Sequence, residues 1–367
     1  MTETRRVQLV DAFTEEPMTG NPAGVLTDAT GLTDDQMAAV ANELGASETA
    51  FVRQSENADR GLRYFSPESE VDLCGHATVA AMAALYDRAQ ITADSYTVET
   101  NVGVLDVEVE PDGTVWFTQS EPEIRPVDLD VERVADALGL DEPALTEVGE
   151  DLPLSYASTG LPFLLVPVSY FEQLSAVDPD LDAIAELCES VGAQGLYAFT
   201  FDTLDRASTL HGRAFVPRLG IPEDPVTGTA SGAVCAYLRH HGALDQPDPL
   251  VCEQGHFLDR PGRVLVRTGH PPESRPAESD GDGHGDDADE GDTGDADDAG
   301  GDAEDAETGD ESAKSAESEE PEESAETENE GGLGANPTAP TVGGRAVTVL
   351  DGDLSIPESD EDDIIEA

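Results

Sequence analysis

An internal repeat of about 150 residues constrains this chain most, because two copies of one unit must fold alike. Thr19-Gly20-Asn21-Pro22 recurs as Thr159-Gly160-Leu161-Pro162, and Gly45-Ala46 recurs as Gly192-Ala193. Ala50-Phe51 matches Ala198-Phe199, and Arg63, Phe65 and Pro67 match Arg213, Phe215 and Pro217. Gly75-His76-Ala77-Thr78 opens a stretch matching Gly228-Thr229-Ala230-Ser231, identical at five of eleven positions. The offsets grow from 140 to 153, as small insertions would cause. The chain is therefore read as two copies of one α+β unit.

Local patterns fill in the unit. Residues 6–13 alternate like a strand, with Val7, Leu9 and Phe13 on one face. Thr33 can N-cap a helix through Leu44 that Gly45 stops. Strands are predicted at 48–53, 62–66, 96–100, 103–109 and 113–119, and a buried helix of small apolar residues at 72–88. Residues 130–139 and 180–191 read as surface helices, and 263–268 with 345–350 as two strands of one meander. Between the last two, residues 272–340 are rich in Asp, Glu, Gly, Ala and Ser. Such a segment cannot bury enough apolar surface to offset its ordering entropy and is expected to be disordered, with no catalytic role.

Both copies lead by a turn into a helix that starts with small residues, at Cys74-Gly75-His76 and at Thr227-Gly228-Thr229. First-turn amides lack intrahelical partners and carry partial positive charge, so two such ends facing one another would form a carboxylate site. Tight helix–sheet packing also explains glycine there. The repeat breaks at one informative place. Gly45-Ala46-Ser47-Glu48 corresponds to Gly192-Ala193-Gln194-Gly195, so Glu48 has no acidic twin. A carboxyl beside the apolar Thr49-Ala50-Phe51-Val52 can be partly desolvated and its pKa raised, which suits acid–base work. A solvated strand-end glutamate is the plainer reading. Asp224 equally suits a turn before proline, His76 a packed core histidine, and Asn21 an Asn-Pro turn. Cys74 precedes a helix start, which lowers a thiol pKa, or is simply a buried structural cysteine.

Charge excludes several partners. There are 80 acidic and 18 basic residues, a formal net charge of −62, and Lys314 is the only lysine. A chain this acidic repels nucleic acid and anionic membranes, so neither is an expected partner. Residues 278–330 account for −24, which leaves −38 on the rest. Molar salt shortens the Debye length to about 3 Å and lets such a surface stay compact, so we read a salt-adapted protein. The cysteines Cys74, Cys188, Cys235 and Cys252 have no metal-ligand spacing and make a disulfide framework improbable. No signal-like segment or run of 18 apolar residues appears, and a cytoplasmic location is the expectation.

Four motifs in order resemble one family. They are Val10-Asp11-Ala12-Phe13 with Gly20-Asn21-Pro22-Ala23-Gly24-Val25, then Ser47-Glu48-Thr49-Ala50-Phe51, then Leu73-Cys74-Gly75-His76-Ala77-Thr78, then Glu223-Asp224-Pro225-Val226-Thr227-Gly228-Thr229-Ala230. They resemble the PhzF family of phenazine-biosynthesis proteins, of the diaminopimelate-epimerase-like fold, over about 1–270 and again near 341–354. The resemblance implies two pseudo-symmetric domains, each a barrel-like mixed sheet wrapped around a central helix, with the site between them. The expected division is 1–118, completed by a strand near 341–354, and 119–271, with the acidic insertion at 272–340 and an acidic tail at 355–367. By resemblance, Glu48 stands where the family has its catalytic acid/base, which moves a proton between carbons of a dihydro-hydroxyanthranilate. Gly75, His76, Asp224, Gly228 and Thr229 match substrate-lining positions, Thr229 standing where serine is common, and Asn21 is added from its motif. Related epimerases use a cysteine from each domain, and only Cys74 matches.

The expected activity is therefore isomerisation of a small carboxylate-bearing metabolite by acid–base chemistry, with no metal or organic cofactor, in a protein whose architecture commonly dimerises. The alternatives are an amino-acid epimerase or racemase using Cys74, and a non-catalytic small-molecule-binding protein of the same fold.

Overall fold

A computed structural model describes residues 3–148, 152–269 and 339–356. The expected acidic insertion and acidic tail lie outside these residues, apart from 339–340 and 355–356.

The first half runs β1 (Glu3–Ala12), β2 (Asn21–Leu26), α1 (Asp34–Leu44), β3 (Glu48–Arg53), β4 (Arg60–Phe65), β5 (Glu70–Val71), α2 (Gly75–Asp87), β6 (Ser95–Thr100), β7 (Gly103–Val109) and β8 (Val115–Thr118). The second runs β9 (Glu123–Pro126), α3 (Val131–Leu138), α4 (Pro143–Thr146), β10 (Ser155–Ser158), β11 (Pro162–Pro167), α5 (Phe171–Ala176), α6 (Leu181–Val191), β12 (Gly195–Thr200), β13 (Leu210–Val216), β14 (Ile221–Asp224), α7 (Gly228–His240), β15 (Leu250–Gln254) and β16 (Gly262–Arg267). β17 (Thr341–Gly344) and β18 (Ala346–Ile356) close the chain.

Strand pairing recurs from one half to the next. β2 lies parallel to β3, β3 antiparallel to β4, and β4 pairs with β5 and, in parallel, β6. In the same sense β11 is parallel to β12, β12 antiparallel to β13, and β13 pairs with β14 and, in parallel, β15. The halves are hydrogen-bonded into one mixed sheet through β17, which lies between β8 and β16. That pairing corrects the meander expectation. Residues 341–344, not 345–350, pair with β16, while β18 pairs with β1. The alternation expected in β1 also fails. Val10 is buried while Leu9 is only partly so, and the register shift between Leu9 and Val10 places the extra residue, Val349, in β18.

Register corrects the repeat itself by one residue. Phe51 sits opposite Arg63, and Ala198 sits opposite Arg213, so Phe51 corresponds to Ala198 and Ala50 to Tyr197. Burial agrees: Ala50 and Tyr197 pack in the central core, while Phe51 and Ala198 face the cores under α1 and α6. The equivalence of Glu48 with Gly195 survives, because Ala23 pairs with Glu48 as Phe163 pairs with Gly195.

Local signals hold where they are local. Thr33 caps α1 in a capping box with Gln36, and Gly45 ends it in the left-handed conformation. Gly192 does the same for α6. α3 and α6 are surface helices as expected, each burying one face: Val134 and Leu138, and Ile184 and Leu187, pack together against β11 and β12. The two central helices, α2 and α7, have 13 residues each and lie in one core. All of 77–85 in α2 is buried, and its run of alanines lets strands approach on every side. No helix among the described residues is long and apolar enough to cross a membrane.

Candidate active site

Parallel pairing of β2 and β3 brings the start of β3 beside the start of α2, and so joins residues from separate motifs. Glu48 opens β3, and its Oε2 lies 3.3 Å from Nε2 of His76 in the first turn of α2. The Glu48 and His76 side chains are 14% and 10% exposed, so the pair is largely withdrawn from water. Ser47 Oγ, which the sequence reading did not single out, stands 3.4 Å from the same His76 nitrogen. Cys74 is the N-cap residue of α2, and its Sγ lies 3.3 Å from His76 Nδ1. Of the two readings of Cys74, the buried cysteine holds and the lowered pKa does not. Burial pushes the thiol well up, the Glu48 charge adds to it, and the Ala77 and His76 amides only partly compensate.

The second half supplies Asp224, at the end of β14. Burial raises its carboxyl above the usual carboxylate value, and His76, the Thr227 hydroxyl and Asn21 draw it back while Glu48 opposes them. Asn21, at the start of β2, donates from Nδ2 to Asp224 Oδ1 at 2.9 Å and to the Val226 carbonyl at 2.9 Å. This contact spans 203 residues and ties the halves together. Asn21 is thus more than a turn residue. Its Oδ1 is buried without a hydrogen-bond partner among the described residues.

The helix starts themselves converge. Neither α2 nor α7 has a side-chain cap hydrogen bond, though the His76 and Ala77 amides of α2 act on the Cys74 sulfur. The Phe117 ring lies against both: a Cβ on Gly75 would come 2.9 Å from Phe117 Cζ, and one on Gly228 would come 4.0 Å from it and 3.2 Å from Phe13 Cζ. A methyl at Gly75 would collide with the Phe117 ring and one at Gly228 would press on Phe13, so both rings pack closely on the helix starts. Thr229 follows Gly228 in α7, and its carbonyl accepts from Thr159. Phe13 reaches Gly228 from a left-handed backbone (φ 63°), rare for a bulky residue. Its strain could not be read from sequence.

Two other features bear on the site. Among the described residues, Glu48, Cys74 and His76 form the one group of three possible metal ligands, with donor atoms within 4.8 Å of one another. A cavity of about 440 Å3, lined by residues including Phe13, Glu15, His256, Arg263 and Arg345, contains none of the expected site residues.

Residues 10–281 match the family described as phenazine biosynthesis-like protein, PhzC-PhzF. An uncharacterised isomerase of Bacillus subtilis is 40% identical over 261 residues, covering 70% of this chain and 88% of that protein. The trans-2,3-dihydro-3-hydroxyanthranilate isomerase of Pseudomonas aeruginosa is 29% identical over 264 residues, 71% of this chain and 90% of its own. Among solved structures, a PhzF-family phenazine biosynthesis protein of Bacillus anthracis superposes with a TM-score of 0.73 at 28% identity, over 96% of this chain and all of that one. A hydroxyproline epimerase of Agrobacterium vitis, 11% identical, shares the fold with a TM-score of 0.53, over 96% of this chain and 91% of its own. The chain therefore belongs to the PhzF family of phenazine-biosynthesis-like proteins and is an isomerase.

Proposed function

We propose that this isomerase moves a proton between carbons of a small carboxylate-bearing substrate, with Glu48 as the acid/base and no metal or organic cofactor. One observation carries the reading. The Glu48 carboxyl is held against His76, mostly out of water, at a position where the other copy of the repeat has Gly195. A Cβ at Gly195 would come 2.8 Å from the Phe215 carbonyl, so that copy has no room for a side chain, let alone a second base. A single base that both takes and returns the proton needs this asymmetry.

On this reading the two halves act as pseudo-symmetric domains with the site at their junction. First-turn amides of α2 and α7, at Gly75 and Gly228, hold the substrate carboxylate, while Asn21, His76, Asp224 and Thr229 line the rest. A Cys74-dependent epimerase is the second reading. It is disfavoured because the position matching Cys74 is Thr227, the N-cap of α7, so no second thiol faces the first. The acidic composition supports a salt-adapted cytoplasmic enzyme, and its architecture suits a homodimer. Turnover of trans-2,3-dihydro-3-hydroxyanthranilate in deuterated water tests the reaction class. Deuterium on carbon with a moved double bond supports the isomerase, and deuterium at a stereocentre with unchanged connectivity supports the epimerase.

A further inference from the structure

We propose that Gln254 is a positioning residue that commits the Thr227 hydroxyl to Asp224, so that Asp224 enters the reaction as an ionised acceptor. The proposal rests on the reading of Asp224 as part of the substrate site. Gln254 ends β15 and is 1% exposed. Its Nε2 donates to the Asp224 carbonyl at 2.7 Å and to Thr227 Oγ1 at 3.0 Å, and its Oε1 accepts from the Thr227 amide at 3.1 Å. The amide cannot be turned over. A carbonyl only accepts and a backbone N–H only donates, so both backbone contacts fix which end is nitrogen.

That orientation decides where the Thr227 proton goes. The hydroxyl already accepts from Gln254, and its one proton is donated to Asp224 Oδ2. Asn21 donates to the other oxygen, Oδ1, with its own orientation fixed by the Val226 carbonyl. Oδ1 thus faces an amide N–H that can only donate, and Oδ2 faces a hydroxyl that, by accepting from Gln254, is biased toward spending its proton on the carboxyl. Donors aimed at a carboxylate favour its charged form and oppose the desolvation that burial imposes. Gln254 touches only the Asp224 backbone and Thr227, and so acts on the carboxyl through the hydroxyl it orients.

The test is the titration of Asp224, followed by its infrared carboxyl band in protein labelled with carbon-13 aspartate, the Asp224→Asn spectrum being subtracted. Thr227→Val removes the donor and should raise the midpoint by about one to two pH units, the size of one hydrogen bond to a charged group. Thr227→Ser should restore it. Gln254→Glu puts a carboxylate where Nε2 stood, draws the hydroxyl away from Asp224, and should raise the midpoint similarly. In the double variant Thr227→Val/Gln254→Glu the shifts should combine to clearly less than their sum. Unchanged midpoints in both single variants, or fully additive shifts, overturn the proposal. If Gln254→Glu does not fold, an unchanged midpoint in Thr227→Val is enough to overturn it. The readout needs no substrate, so it separates the two ideas. A shifted midpoint with turnover indifferent to Asp224→Asn sinks the site reading and leaves the positioning role standing.

Discussion

Replacing Glu48 by glutamine removes the group that accepts and returns a proton while keeping its size and its place beside His76. Positioned acid–base catalysis is worth about 10²–10⁴-fold, so turnover should fall by at least about a hundredfold, or about 2.7 kcal/mol in the barrier. Stability should change little, because glutamine keeps the size of the side chain and a polar group beside His76, where the contact is 3.3 Å. Cys74→Ala is the paired control. Burial and the Glu48 charge hold that thiol well above its ordinary pKa. The nucleophilic and basic thiolate form is therefore disfavoured, so a thiol base begins at a disadvantage. Losing it should cost less than about tenfold in rate. The assay is proton NMR of trans-2,3-dihydro-3-hydroxyanthranilate in deuterated water, with thermal melts to establish that both variants are folded. Normal turnover in Glu48→Gln together with a dead Cys74→Ala would refute the reasoning and put the thiol in place of the carboxyl.

Three further outcomes follow from the same coordinates. Gly75→Ala should lose about 1–3 kcal/mol and raise KM, since its methyl would press on Phe117 Cζ at 2.9 Å and that ring is buried, and a melt and KM equal to wild type would show the helix start is not tightly held. Burial would raise the Glu253 carboxyl, but His211 and the Leu204 and Asp205 amides reverse this and hold it at about 2, against 4.5 when unperturbed. A depressed pKa contributes stability that is present above the unfolded value and lost as pH falls through the folded one. Chemical denaturation should therefore show about 3 kcal/mol lost between pH 4.5 and 2, a slope that Glu253→Gln flattens. An equal slope in both proteins would remove that assignment. Finally, the −38 carried outside residues 278–330 should make the melting temperature climb with potassium chloride into the molar range, and a temperature indifferent to salt would dismiss the salt-adapted reading.

What the sequence determined by itself is what depends on neighbours along the chain. Thr33 and Gly45 bound α1 because a cap is made within a few residues, and the small-residue runs after Gly75 and Gly228 announce buried helices for the same reason. The four ordered motifs identified the family, and the unequal residues Glu48 and Gly195 pointed to one carboxyl. Tertiary structure decided everything that pairing across distance controls. Ala-Phe occurs in both copies one residue out of step, and only the strand ladder, which flips every side chain on a one-residue slip, shows that Phe51 answers to Ala198. β17 could not be placed from sequence because its partners, β8 and β16, lie far away along the chain. Gln254 carries no motif of its own, and its part in the site exists only because β15 runs beside the turn from Asp224 to Thr227. The direction of the Cys74 shift could not be read from its helix start, because desolvation is a property of the packed core and outweighs the local amides that the sequence reveals.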